Sequence, residues 1–124
     1  MSRASAKKWW AGTVLATATF GMSLAIAQDA AKVAPDIVRV VFENERARGL
    51  EVISKAGAKI PMHSHTQHVL VALSPCKFRS TAPDGKVSEV ELKAGEVRWS
   101  DPVTHAVENI SGAECRLVDV EIKK

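Results

Sequence analysis

Tyrosine is absent from this 124-residue chain, so no phenol is available as an acid or a base. Cysteine occurs only twice, at Cys76 and Cys115, without the C-x-x-C spacing of redox motifs. No serine stands in a nucleophile-elbow pattern, and neither cysteine has a histidine beside it in sequence. The local patterns of serine and cysteine hydrolases are therefore missing. Beyond the first 27 residues nothing sustains a 3.6-residue apolar period, and there are no internal repeats or low-complexity tracts. An all-helical or solenoid architecture does not fit.

Excess charge is also missing once the N-terminus is set aside. Residues 1–27 read as an export signal. Arg3, Lys7 and Lys8 form a basic start, a weakly apolar run follows from Trp9 to about Leu24, and Ala25-Ile26-Ala27 supplies the small-x-small pattern cut by signal peptidase. The run is interrupted by Thr13, Thr17, Thr19, Gly21 and Ser23, which favours a cleaved signal over a retained membrane anchor. No cysteine follows the expected cut after Ala27 and no Arg-Arg pair precedes it, so the expectation is general export to the periplasm or beyond. All 14 acidic residues lie after position 27, along with 14 of the 17 basic ones. The mature chain is thus neutral, and its charge gives no support for binding nucleic acid or an anionic membrane.

Residues 28–35, QDAAKVAP, read as a flexible leader, and residues 36–124 as one domain. Within it the pattern is of short strands separated by turns every 8 to 12 residues. Expected strands cover Ile37 to Phe42, Leu50 to Ile53, Lys59 to His65, Val69 to Leu73, Cys76 to Thr81, Val87 to Leu92, Val97 to Ser100, His105 to Ile110 and Cys115 to Ile122. Ala82-Pro83-Asp84-Gly85 is the clearest turn, since Pro presets one φ and Gly supplies a positive one. Strict alternation in the third strand puts Ile60 and Met62 on one face and Pro61, His63 and His65 on the other. In the last strand Val118, Val120 and Ile122 share a face. About nine strands in this arrangement indicate a β-sandwich or barrel.

What the chain does have is histidine in one place. His63, His65 and His68 fall within six residues, and the fourth histidine, His105, follows in THAVEN. Imidazoles packed this closely point to a metal; imidazole-rich sites suit Fe, Ni, Cu or Zn better than Mg or Ca, and the expected cofactor is a divalent transition metal, Fe, Ni, Cu, Zn or Mn. Gln67, beside them, is a candidate to hydrogen-bond a metal-bound ligand. Trp99 and Phe78 read as core, and Arg46 and Arg48 as turn charges.

These segments resemble the cupin family, single-domain double-stranded β-helix (jelly-roll) proteins. Gly57, five residues, then His63-Ser64-His65 matches the start of the first cupin motif G-x5-H-x-H. Gly95 opens the second, and His105 with Asn109 closes it as H-x3-N. The resemblance spans positions 37 to 122. It implies a jelly-roll barrel in which the His105 strand lies antiparallel to the His63–His65 strand, so that His63, His65, His68 and His105 converge on a divalent transition metal at the barrel mouth. The usual glutamate ligand would fall at Val69 or Leu70 and is absent, and His68, one residue early, is the candidate for its role. Asn109 shares the inward face with His105, where the matching family residue supports the barrel. The same topology places Cys76 and Cys115 together at the opposite end, as an expected disulfide. Two functions follow from the resemblance. One is a metal-dependent dioxygenase or related oxidoreductase acting on a small anionic compound. The other is a non-catalytic binding module for a metal or small ligand. A homodimer through the edge strand near Ile37 to Phe42 is a further expectation.

Overall fold

A computed structural model describes residues 28–124, and the expected export signal lies outside them. Nine strands are formed: β1 (Val38–Glu43), β2 (Ala47–Ser54), β3 (Lys59–His65), β4 (His68–Ala72), β5 (Cys76–Thr81), β6 (Val87–Leu92), β7 (Val97–Ser100), β8 (Val103–Asn109) and β9 (Cys115–Ile122). Five of the nine have the bounds read from the sequence. The others shift by one to three residues where a charged or polar flank continues the ladder, as Ala47, Arg48 and Gly49 do in β2.

The strands form two sheets, ordered β1-β2-β9-β4-β7 and β3-β8-β5-β6, with antiparallel pairing inside each. They lie as a double-stranded β-helix whose sheets stay open rather than closing into one barrel. Leu50, Val52, Ala72 and Leu117 from the first sheet meet Ile60, Phe78, Leu92 and Cys76 from the second in a single core. Phe78 joins this core as expected, whereas Trp99 stands 55% exposed on the outer face of β7.

Three local features set the geometry of the histidine end. First, the β3–β8 register shifts between Ile60 and His63. The extra residue lets Ile60, His63 and His65 all turn inward, correcting the strict alternation expected for β3. Pro61 sits inside this irregularity on an edge strand, where its missing N–H breaks no essential ladder bond. Second, Gly57 enters β3 at φ 76°, a conformation that a side chain would strain. Third, residues 28–35 contain a helical turn, α1 (Ala30–Val33), in place of a shapeless leader. The Asp29 side chain caps it by accepting from the Ala31 amide at 2.9 Å. The turn packs on β3, where Gln28 O accepts from the Ser64 amide at 2.8 Å, and Ala30 is buried.

At the other end Cys76 and Cys115 form a disulfide across 39 residues of chain, as expected. Because they begin β5 and β9, the bond ties one sheet to the other.

Candidate metal centre

His63 and His105 are direct cross-strand partners in the β3–β8 pair. Their rings lie 4.8 Å apart between centroids, and His65 is 4.8 Å from His63 and 5.8 Å from His105. Ligand-capable atoms of His63, His65 and His105 all lie within 4.8 Å of one another, so this group could hold a metal ion. His68, at the start of β4, faces them from the opposite sheet with its ring 4.8 Å from that of His65. All four line one cavity of about 120 Å³ whose deeper walls are apolar.

The hydrogen bonds fix which nitrogen each imidazole can offer. His63 Nδ1 meets Pro61 O at 2.7 Å, and His68 Nδ1 meets Thr66 O at 2.8 Å. A carbonyl oxygen can only accept, so both rings carry their proton on Nδ1 and leave Nε2 as a lone-pair donor. His65 Nδ1 faces Glu121 Oε2 at 3.0 Å, and His105 Nδ1 faces Ser80 Oγ at 2.9 Å. Four rings held by Nδ1 with Nε2 uncommitted match how metal-ligating histidines are oriented in proteins. The donor set present therefore fits a borderline metal.

Electrostatics support the same protonation. Burial lowers His63 below the ordinary imidazole value despite its bond to Pro61. Burial, together with the neighbouring imidazoles, brings His105 down to about 3. Both rings are thus neutral and ready to ligate.

Behind His65 runs an ionic chain that the sequence reading missed. Arg48 donates from Nε and Nη2 to Glu121 Oε1 at 2.7 and 2.6 Å, and it also pairs with Asp29. Arg48 is therefore a half-buried strand residue bridging two carboxylates rather than a turn charge. Burial would raise Glu121, but its bonds from His65 and Arg48 hold it below the usual carboxylate range. The Glu121 carboxylate thereby fixes the His65 ring.

The missed signal was parity. Cys115, Leu117, Asp119 and Glu121 are the buried set of β9, and Val118, Val120 and Ile122 take the other face. An inward-facing Cys115 would have placed both acids inside, but the valines hid them.

The two remaining candidates lie elsewhere. Gln67 lines an outer groove with Arg48, Glu121, Lys123 and one edge of His65, and does not line the histidine cavity itself. Asn109 sits four residues beyond His105 at the far end of β8. Its amide donates to the carbonyls of Ser54, Lys55 and Ala113 at 2.8, 3.1 and 2.8 Å, which commits it to holding loops together.

No family model matches this sequence, and neither does any curated protein. Solved structures do. A cupin domain from Bordetella pertussis Tohama I is 28% identical, superposes with a TM-score of 0.65, and is matched over 71% of this chain and 93% of its own. A protein with a double-stranded β-helix domain from Klebsiella pneumoniae is 22% identical over 69% of this chain and 75% of its own, with a TM-score of 0.53. An RmlC-like cupin family protein from Methanocaldococcus jannaschii is 15% identical over 69% and 78%, with a TM-score of 0.55. The described residues have the double-stranded β-helix fold of these small cupin domains.

Proposed function

We propose that this protein is a periplasmic, metal-dependent cupin oxidoreductase of the dioxygenase type, acting on a small compound that presents an anionic group to the histidine centre. The observation that carries the reading is the set of Nδ1 bonds just described, which leaves His63, His65 and His105 each with Nε2 available at one cavity. His68 is the fourth donor in this proposal, in the place of the missing glutamate.

Neutral imidazoles would leave a bound divalent metal its full charge, which attracts a carboxylate, enolate or thiolate and acidifies bound water. The protein's own part is to orient and to exclude water. Pro61, Thr66, Glu121 and Ser80 fix the four rings, and the apolar walls confine the ligand. The cavity is small, so the ligand is a small molecule rather than a polymer. Export supports the periplasmic assignment through the sequence of residues 1–27 and through the disulfide, which suits an oxidising compartment. Homodimerisation through β1 draws support from the exposure of Val40, Val41 and Phe42 along that edge.

The test is metal analysis of the protein purified from periplasm, beside His63→Ala and His105→Ala. Wild type is expected to carry close to one transition-metal ion, and each variant to lose most of it. A wild type that is metal-free and takes up none of Fe, Mn, Co, Ni, Cu or Zn ends the proposal. Oxygen consumption with a panel of small carboxylates and thiols then separates an oxygenase from a metal-holding module. N-terminal sequencing is expected to read from Gln28.

A further inference from the structure

Beyond the histidines and Ser80, which is bonded to His105, the cavity wall is apolar, formed by residues such as Val38, Val52, Phe78 and Leu117, with one carboxylate facing in, Asp119. Its neighbours across both adjoining strands are leucines, Leu50 on β2 and Leu70 on β4. Asp119 is 5% exposed, and its Oδ1 is the buried side-chain polar atom that lacks a hydrogen-bond partner among the described residues. The other acids at this end are served: Glu121 receives Arg48 and His65, and Asp29 receives Arg48. An acceptor held without a donor in an apolar layer destabilises the fold. Such a cost is retained where the cavity's ligand brings the donor.

Asp119 is not placed as a metal donor. Like His68 it stands outside the three-histidine group whose atoms converge, but unlike His68 it is set apart by depth. Glu121 is level with His68, whereas Asp119 lies one inward position deeper, level with Leu70. Two residues along a strand span about 7 Å.

The geometry points to Asp119 as a specificity-determining residue that binds a protonated amine on the ligand. The ligand is then a small amine whose ammonium meets Asp119 and whose anionic end, two or three carbons away, meets the histidine centre. An ammonium suits better than a hydroxyl because burial works against the charged form of Asp119, and a cation offsets that while filling the lone pair. The second half of this statement rests on the metal-centre reading, while the contact with Asp119 does not.

The experiment therefore has two arms. In the first, the protein stripped of metal is titrated with propylammonium, 1-propanol and butyrate, followed by amide NMR. Propylammonium is expected to shift residues around Asp119 and Leu70 and to bind about tenfold tighter than 1-propanol, the scale of one charge-assisted hydrogen bond. Asp119→Asn and Asp119→Leu are expected to abolish that preference. In the second arm the metal-loaded protein is offered 2-aminoethanethiol and 1-propanethiol, which differ in the end that would reach Asp119. The same preference for the amine and the same loss in both variants are expected, with metal content unchanged. Asp119→Leu is also expected to melt above wild type, since it removes the unpartnered buried acceptor, whereas Asp119→Asn keeps an acceptor oxygen. A residue kept only for stability would give the reverse.

Equal binding of propylammonium and 1-propanol to wild type, or a preference that survives in both variants, overturns the proposal. Loss of metal on Asp119→Asn also overturns it, by making Asp119 a ligand. A wild type that selects propylammonium but never takes up metal keeps Asp119 as the amine contact and rejects the metal centre alone.

Discussion

His105 shows how one side chain ties the site to stability. Burial holds its imidazole down to about 3 in the fold, whereas the unfolded chain keeps the ordinary value near ~6.5. Between these values the unfolded state binds more protons, so the stabilisation is complete above about pH 6.5 and drains away as pH falls toward 3. For the metal-free protein the loss from His105 is about 2 kcal/mol between pH 6.5 and 5. Asp119, raised by burial, contributes with the opposite sign. The comparison is therefore between wild type and His105→Asn melted at pH 7 and pH 5, and the wild type is expected to lose more. Equal losses would contradict the buried neutral ring. Glu121 acts on the site through another residue. Glu121→Ala removes the acceptor that orients His65 and leaves Arg48 with Asp29 alone. Metal affinity is expected to fall by about 10- to 100-fold, while Glu121→Gln, which keeps an acceptor oxygen, retains more of it. Competition with a colorimetric chelator reads both.

At the scale of elements, β8 and β9 divide the labour between chemistry and support. β8 carries His105 near its start and Asn109 at its end. Asn109 is 1% exposed and donates to the carbonyl that ends β2 and to two loop carbonyls, and its Oδ1 accepts from the Ser111 amide and hydroxyl. Asn109→Ala is expected to cost about 3 kcal/mol in denaturant melts while leaving metal stoichiometry of the folded fraction unchanged. A loss of metal in folded Asn109→Ala would instead place the residue in the site. β9 runs from the disulfide to the ionic chain, with Cys115, Leu117, Asp119 and Glu121 inward in order. Its apolar outer face, Val118 and Val120, lies beside Val69 and Val71 of β4, so hydrophobicity alone does not mark which side is the inside.

For the whole molecule, the disulfide and the histidine centre sit at opposite ends of a two-sheet structure, each joining one sheet to the other. Closing a loop of 39 residues is worth roughly 4 kcal/mol in the chain-entropy model. Reduction, or Cys76→Ser with Cys115→Ser, is expected to lower the melting temperature by on the order of 15 °C, and calorimetry with and without reductant checks it. The sequence by itself determined the strand count and the bounds of five strands, and its cupin-like motifs implied the approach of the His105 strand to the His63–His65 strand and the disulfide. Those depend on local alternation, turn residues and motif spacing, all written along the chain. Tertiary structure alone decided the irregularity at Pro61, the inward parity of β9, the conversion of Arg48 from a turn charge to a bridge, and the isolation of Asp119 between two leucines. Each depends on which face of a strand meets another sheet. A shift of one residue reverses that face, and local sequence carries little information against it.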